Sequence, residues 1–156
     1  MLRTKAAVYD TRFAFDYYRP LADTRLLWGG RISTVDRSPA TVAGLLKADM
    51  LKVYPQLRDV AVTHAWSGTM GYARHKMPQI GRLPSGVLYG MGFGGHGLAP
   101  TTVAGEVLAN AITQTADIPA GFSRFGLAPT YGHAGRLAAQ ITYWWLGMRD
   151  ALRAMQ

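Results

Sequence analysis

The chain has 156 residues, no cysteine and a formal net charge of +8, with 49% hydrophobic and 17% charged residues. That balance describes one globular domain with a real core; it excludes disorder, disulfides, thiolate metal sites and any cysteine-linked cofactor. No apolar run reaches the ~18 residues of a membrane-spanning helix, and "MLRTKAAVYD" is no secretory signal, so a cytoplasmic location is expected.

The 17 basic residues are scattered singly from Arg3 to Arg153. Such a pattern reads as a solvated basic surface, or one facing an acidic partner or substrate. A nucleic-acid-binding domain would need its face assembled from these scattered charges, and it stands as a further alternative.

In chain order, "AFDYYRP" and "TRLLWGG" are aromatic and apolar around the turn-prone "LADT", which predicts two strands. Ser38-Pro39 reads as an N-cap followed by proline at the first helical position. Val42, Leu45, Leu46, Met50 and Val53 then recur at helical spacing until Pro55. "DVAVTHAWSG" is a strand candidate. "MPQIGRL" and "GVLYGMG" form a hairpin through Pro84-Ser85-Gly86. A helix is predicted from about Pro100, with Val103, Val107, Leu108, Ala111 and Ile112 as its apolar stripe. A last helix covers roughly 134–153, with Leu137, Ile141, Trp144, Met148 and Leu152 as its buried side. The fold class is α+β, with antiparallel hairpins outnumbering strand-helix-strand units.

Between the hairpin and its helix stands "YGMGFGGHGLAP", whose Gly92, Gly94 and Gly97 spell G-x-G-x-x-G. A dinucleotide fingerprint needs a parallel strand after the helix, ending in an acidic residue about twenty positions on. Asp117 has nearly that offset, but "NAITQTA" before it continues the helix, so the Rossmann reading fails. What survives is a glycine bend leading into a helix, with N–H groups and the positive end of the helix dipole aimed outward. It suits a phosphate, a carboxylate or the carbonyl edge of a planar cofactor; a ligand-free strand-to-helix turn would look the same.

The ordered series W-x-G, P-x-I-G, G-x-G-G-H-G and G-E-x-L-A, running from Trp66 to Ala109, resembles the C-terminal part of FAD-dependent amine and amino-acid oxidoreductases. This is the D-amino-acid oxidase-like superfamily, with its glycine oxidase, sarcosine oxidase and gamma-glutamylputrescine oxidase types. The likeness extends upstream into "DYYRPLADTRLLWGGR" and downstream into "FGLAPTYGHAGRLAAQITYWWLGMRD".

The resemblance implies that Gly94, Gly95, His96, Gly97 and Leu98 contact the pyrimidine edge of a non-covalent FAD, mostly through main-chain N–H groups. Gly68 belongs to the same cofactor set. Tyr17, Arg19, Trp66 and Met70 are implied to bind substrate, with Tyr18 and Trp28 as further lining candidates. No residue is assigned as a catalytic base, and His64, His75 and His133 show no metal-ligand spacing. For each aromatic taken singly, simple sheet packing is the better reading.

Two departures matter. Amino-acid oxidases of the family it resembles often carry an arginine two residues after the glycine of W-x-G, where it clamps a carboxylate; here that position is Met70. An amine such as a modified polyamine is therefore favoured over a substrate with a carboxylate at the reacting carbon, with Arg74 or Arg19 as the alternative source of a clamp. Second, nothing before Tyr89 matches the family's own FAD-binding strand-helix-strand. The chain is expected to be a C-terminal portion: substrate-domain part at about 1–66, C-terminal part of the FAD-binding domain at about 67–116, and a helical tail at about 117–156. Its expected partners are an amine or amino acid and the missing N-terminal half or another chain. A catalytically silent remnant or partner subunit is the main alternative.

Overall fold

A computed structural model describes residues 4–155. The chain falls into two compact units, dividing between Ser67 and Gly68 and again between Thr130 and Tyr131. The fold is mixed α and β, with small antiparallel sheets and helices.

The first unit holds a three-stranded antiparallel sheet in the order β1 (Val8–Tyr9), β2 (Tyr17–Pro20), β3 (Leu26–Gly29). Tyr17 faces Gly29 and Tyr18 faces Trp28 across the second ladder. β1 is a short strand that "AAVYD" did not announce; it pairs Val8 with Tyr18. Helix α1 (Pro39–Val53) begins where Ser38 Oγ accepts the Thr41 N–H at 3.2 Å, and a 3₁₀ turn at Pro55–Leu57 follows it. Asp49 on α1 is buried, and Arg31 and Lys52 hydrogen-bond to its carboxylate. Burial pushes that carboxyl up, but the hydrogen bonds from Arg31 and Lys52 outweigh it and hold the group below the usual carboxylate range.

Helix α4 (Gly132–Arg153) completes this unit. Its polar side faces inward. Gln140 is buried, and its Oε1 accepts the Thr34 N–H at 2.8 Å; Arg136 donates to Thr34 O at 2.6 Å, and the Asp150 carboxylate accepts the Phe13 N–H at 2.7 Å. The apolar side expected to be buried is the outer one: Leu137, Ile141, Trp144, Met148 and Leu152 are all exposed. The expectation fails because periodicity locates an apolar face without saying what covers it.

The second unit is built on the hairpin of β4 (Gln79–Arg82) and β5 (Leu88–Met91). Gly86 N–H donates to Leu83 O at 2.8 Å, closing a turn with Pro84 second in it and Gly86 at φ +90°. Ile80 is the most buried side chain, packed in a core with Ala73, Ala104 and Ala111. Helix α2 (Leu98–Ile112) lies against β5, and the short α3 (Ala120–Ser123) against β4. Val103 and Ile112, expected on the inner stripe of α2, are exposed, while Ala104 takes an inner position.

The strand expected over "DVAVTHAWSG" does not form. Among the described residues, no ladder bond is made from 60 to 70, and Val60, Val62 and Trp66 are exposed. A strand needs a neighbour to satisfy its N–H and C=O groups, and none lies beside this stretch.

Candidate functional site: the glycine loop before helix α2

After β5 the chain makes a sharp passage into α2. Gly92, Gly94 and Gly95 have φ of +75°, +60° and +79°, values that side-chain-bearing residues rarely adopt. A bridge pairs Tyr72 with Phe93, and the Gly94 N–H donates to Gly71 O at 3.0 Å. These contacts tie the loop to the segment 70–73. Beneath it, the buried Gln79 donates from Nε2 to Gly126 O at 2.7 Å.

The loop delivers an open helix start. Gly97 caps α2 without any side-chain acceptor, and the first turn carries no acidic residue. The His96 N–H is used by Phe93 O, as the Gly94 N–H is by Gly71 O. Among the described residues, the N–H groups of Gly95, Gly97, Leu98 and Ala99 have no acceptor. The expected set of five main-chain donors thus narrows at Gly94 and His96 and gains Ala99. Leu98 is 92% exposed, so no protein side covers this end of the helix. Four unsatisfied donors and the positive helix end favour an electron-rich edge.

Two side chains stand over the loop. A Cβ on Gly95 would lie 3.0 Å from Met70 Sδ and 3.2 Å from Tyr72 Oη; one on Gly94 would lie 3.2 Å from the Tyr72 ring. Met70 was expected at the site. Tyr72 was not singled out, because its place depends on the long-range bridge to Phe93, which no local pattern announces. The His96 ring stays local, its Nδ1 lying 3.3 Å from Gly94 O. Gly68 belongs to the same unit but is exposed, with no atom within 4 Å of a would-be Cβ.

Tyr17, Arg19 and Trp66 belong to the first unit. Tyr17 and Arg19 stand on β2, both exposed, and Trp66 lies exposed in the unpaired stretch. Tyr18 and Trp28 stack at 4.2 Å with 1° between their planes, and Tyr54 meets both edge-on. The Tyr18 and Tyr54 hydroxyls are hydrogen-bonded at 3.1 Å, and this bond, with burial, pushes the Tyr18 phenol up to about 12. Tyr18 therefore keeps its proton at neutral pH.

Among the described residues, no group of His, Asp and Glu stands together as a metal site, and no helix is long and apolar enough to cross a membrane.

An open helix start behind a glycine loop has the geometry of an anion- or cofactor-edge site. Residues 2–111 match the FAD dependent oxidoreductase family, and the chain belongs to it. It is 34% identical over 150 residues to gamma-glutamylputrescine oxidoreductase of Escherichia coli, covering 93% of this chain and 34% of the relative. It is 32% identical over 135 residues to the probable oxidoreductase OrdL of Haemophilus influenzae, covering 86% of this chain and 30% of that relative. The OrdL protein of Rhizobium meliloti matches at 33% over 103 residues, 66% of this chain and 24% of the relative. The chain thus spans about a third or less of the length of the curated relatives it matches. No solved structure matches.

Proposed function

We propose that this chain supplies the flavin-edge loop and part of the substrate surface of an FAD-dependent oxidoreductase that oxidises the C–N bond of an amine. The observation that carries this is the run of free N–H groups at Gly95, Gly97, Leu98 and Ala99. These residues fit the group: the donors are unsatisfied, the loop lacks side chains at Gly94, Gly95 and Gly97, and no acidic residue in the first turn of α2 would repel an electron-rich rim. Bound there, FAD supplies the acceptor for a hydride from the carbon beside nitrogen. The free amides of Gly95, Gly97, Leu98 and Ala99 would hold its electron-rich rim and favour negative charge there.

Met70 and Tyr72 form the wall beside the loop. A thioether in place of a guanidinium binds no carboxylate, so an amine such as a glutamylated polyamine is the favoured substrate class, in keeping with the name of the E. coli relative. The adenosine and pyrophosphate are held by polypeptide outside this chain. In isolation the chain binds FAD weakly or not at all.

The test is a chimera of the E. coli gamma-glutamylputrescine oxidoreductase in which this chain replaces the segment it aligns with. Anaerobic addition of gamma-glutamylputrescine should bleach the visible flavin band. A chimera that retains flavin and shows no bleaching with any of a panel of amines and amino acids would refute C–N oxidation.

The short span against the relatives favours a second reading, a catalytically silent partner of such an enzyme. A chimera that folds without retaining flavin would favour it.

A further inference from the structure

The free amides at Gly95, Gly97, Leu98 and Ala99 are main-chain donors. The side chains around them differ in what they can add. Thr101 uses its hydroxyl on Gly97 O at 2.6 Å. The His96 Nδ1 lies 3.3 Å from Gly94 O, within its own turn. The Met70 thioether has no hydrogen to donate. Tyr72 is different: among the described residues its hydroxyl has no hydrogen-bond partner, and the residue is exposed.

The chain itself fixes where that hydroxyl stands. Tyr72 bridges to Phe93, and the Gly94 N–H donates to Gly71 O at 3.0 Å, so residues 71 and 72 are bound to the loop. The Tyr72 ring lies on Gly94, where a Cβ would come within 3.2 Å of Cε1. Its Oη then stands 3.2 Å from the Cβ position of Gly95, whose N–H is free. Glycine at both positions leaves the room for the ring. All of these residues belong to the second unit, so the placement needs no other polypeptide.

We propose that Tyr72 donates its hydroxyl hydrogen to the electron-rich rim that the free amides hold, as the side-chain member of that donor set. The assignment rests on the function proposed above and adds a side chain to a site otherwise made of backbone. A hydrogen bond to a charged acceptor is about twice as strong as one to a neutral acceptor. Tyr72 therefore favours the cofactor with negative charge on its rim over the neutral one. Removing the hydroxyl should show in the redox equilibrium rather than in folding. A contact with substrate would act only in the complex, so measurement without substrate separates the two.

Tyr72→Phe, made in the chimera, keeps the ring and removes only Oη. The purified variant, free of substrate, should keep its flavin. At equilibrium with a reference dye of fixed potential, its ratio of reduced to oxidised flavin should fall about fivefold against the unaltered chimera, the loss expected of one hydrogen bond. Tyr89→Phe, whose hydroxyl lies against Gly81 in the hairpin, should leave that ratio unchanged. Loss of flavin from Tyr72→Phe with unaltered circular dichroism would also support the assignment. A ratio that Tyr72→Phe does not alter would overturn it, and a raised KM for the amine alongside would move the hydroxyl to the substrate. An unaltered chimera that folds without flavin would instead remove the cofactor reading, and this assignment with it.

Discussion

Gly92 and Gly95 share a left-handed backbone but differ in what surrounds them. Gly92 is buried, and a Cβ there would meet Ala73 Cβ and Gln79 Oε1, both at 3.2 Å. Gly92→Ala combines about 1–2 kcal/mol of backbone strain with crowding in the core beneath the loop. It should lower the urea midpoint of the chain more than Gly95→Ala does, where the neighbours are the ends of two flexible or exposed side chains. At Gly95 the expected loss is functional, since any side chain there would stand among the free amides. Met70→Arg, made in the chimera, should lower KM for amines that carry a carboxylate at the reacting carbon, measured against the same amines without it. An unchanged preference would place the carboxylate-binding position elsewhere. The glycine loop itself was legible in the sequence, as was Met70 beside it. That the Gly94 and His96 amides are used internally was not, because their acceptors lie on Gly71 and within the loop's own turn.

Elements whose ends carry local chemistry were read closely. Ser38-Pro39 opens α1 and Pro55 follows its end, while Pro84-Ser85-Gly86 turns the hairpin. Ser38→Ala should cost about 1 kcal/mol by removing the acceptor for the Thr41 N–H, visible in thermal or urea unfolding. The tie between α1 and the segment after β3 is electrostatic and so pH-dependent. Asp49 has a depressed carboxyl in the folded chain, so its contribution is complete above the unfolded carboxylate value of about 3.9 and is lost as pH falls through the lower folded value. Wild type should exceed Asp49→Asn by about 2 kcal/mol at neutral pH, and the gap should close in acid. A gap that widened in acid would contradict the ion pair. Elements defined by partners were read badly. The stretch from 60 to 70 has strand composition without a strand beside it, and α4 has a clear apolar face on its outer side.

At the scale of the whole chain, too much surface is open. The accessible surface is 11835 Å², whereas a compact monomer of 17.0 kDa exposes about 7,700 Å². Two units of these sizes standing wholly apart would expose only about 9,300 Å². The chain spans about a third of its relatives' length, and in the function proposed above polypeptide outside it covers the difference. On that reading, a purified sample of this chain alone should take up little FAD in equilibrium dialysis; stoichiometric uptake would mean that the open α2 terminus suffices without the adenosine half. The visible spectrum of the purified chimera, with and without Gly95→Val, tests the flavin-edge assignment most directly. We expect a folded chimera with near-stoichiometric flavin, and a folded variant that has lost most of it. Equal flavin content and an unaltered absorption band in the Gly95→Val protein would show that the cofactor rim rests elsewhere.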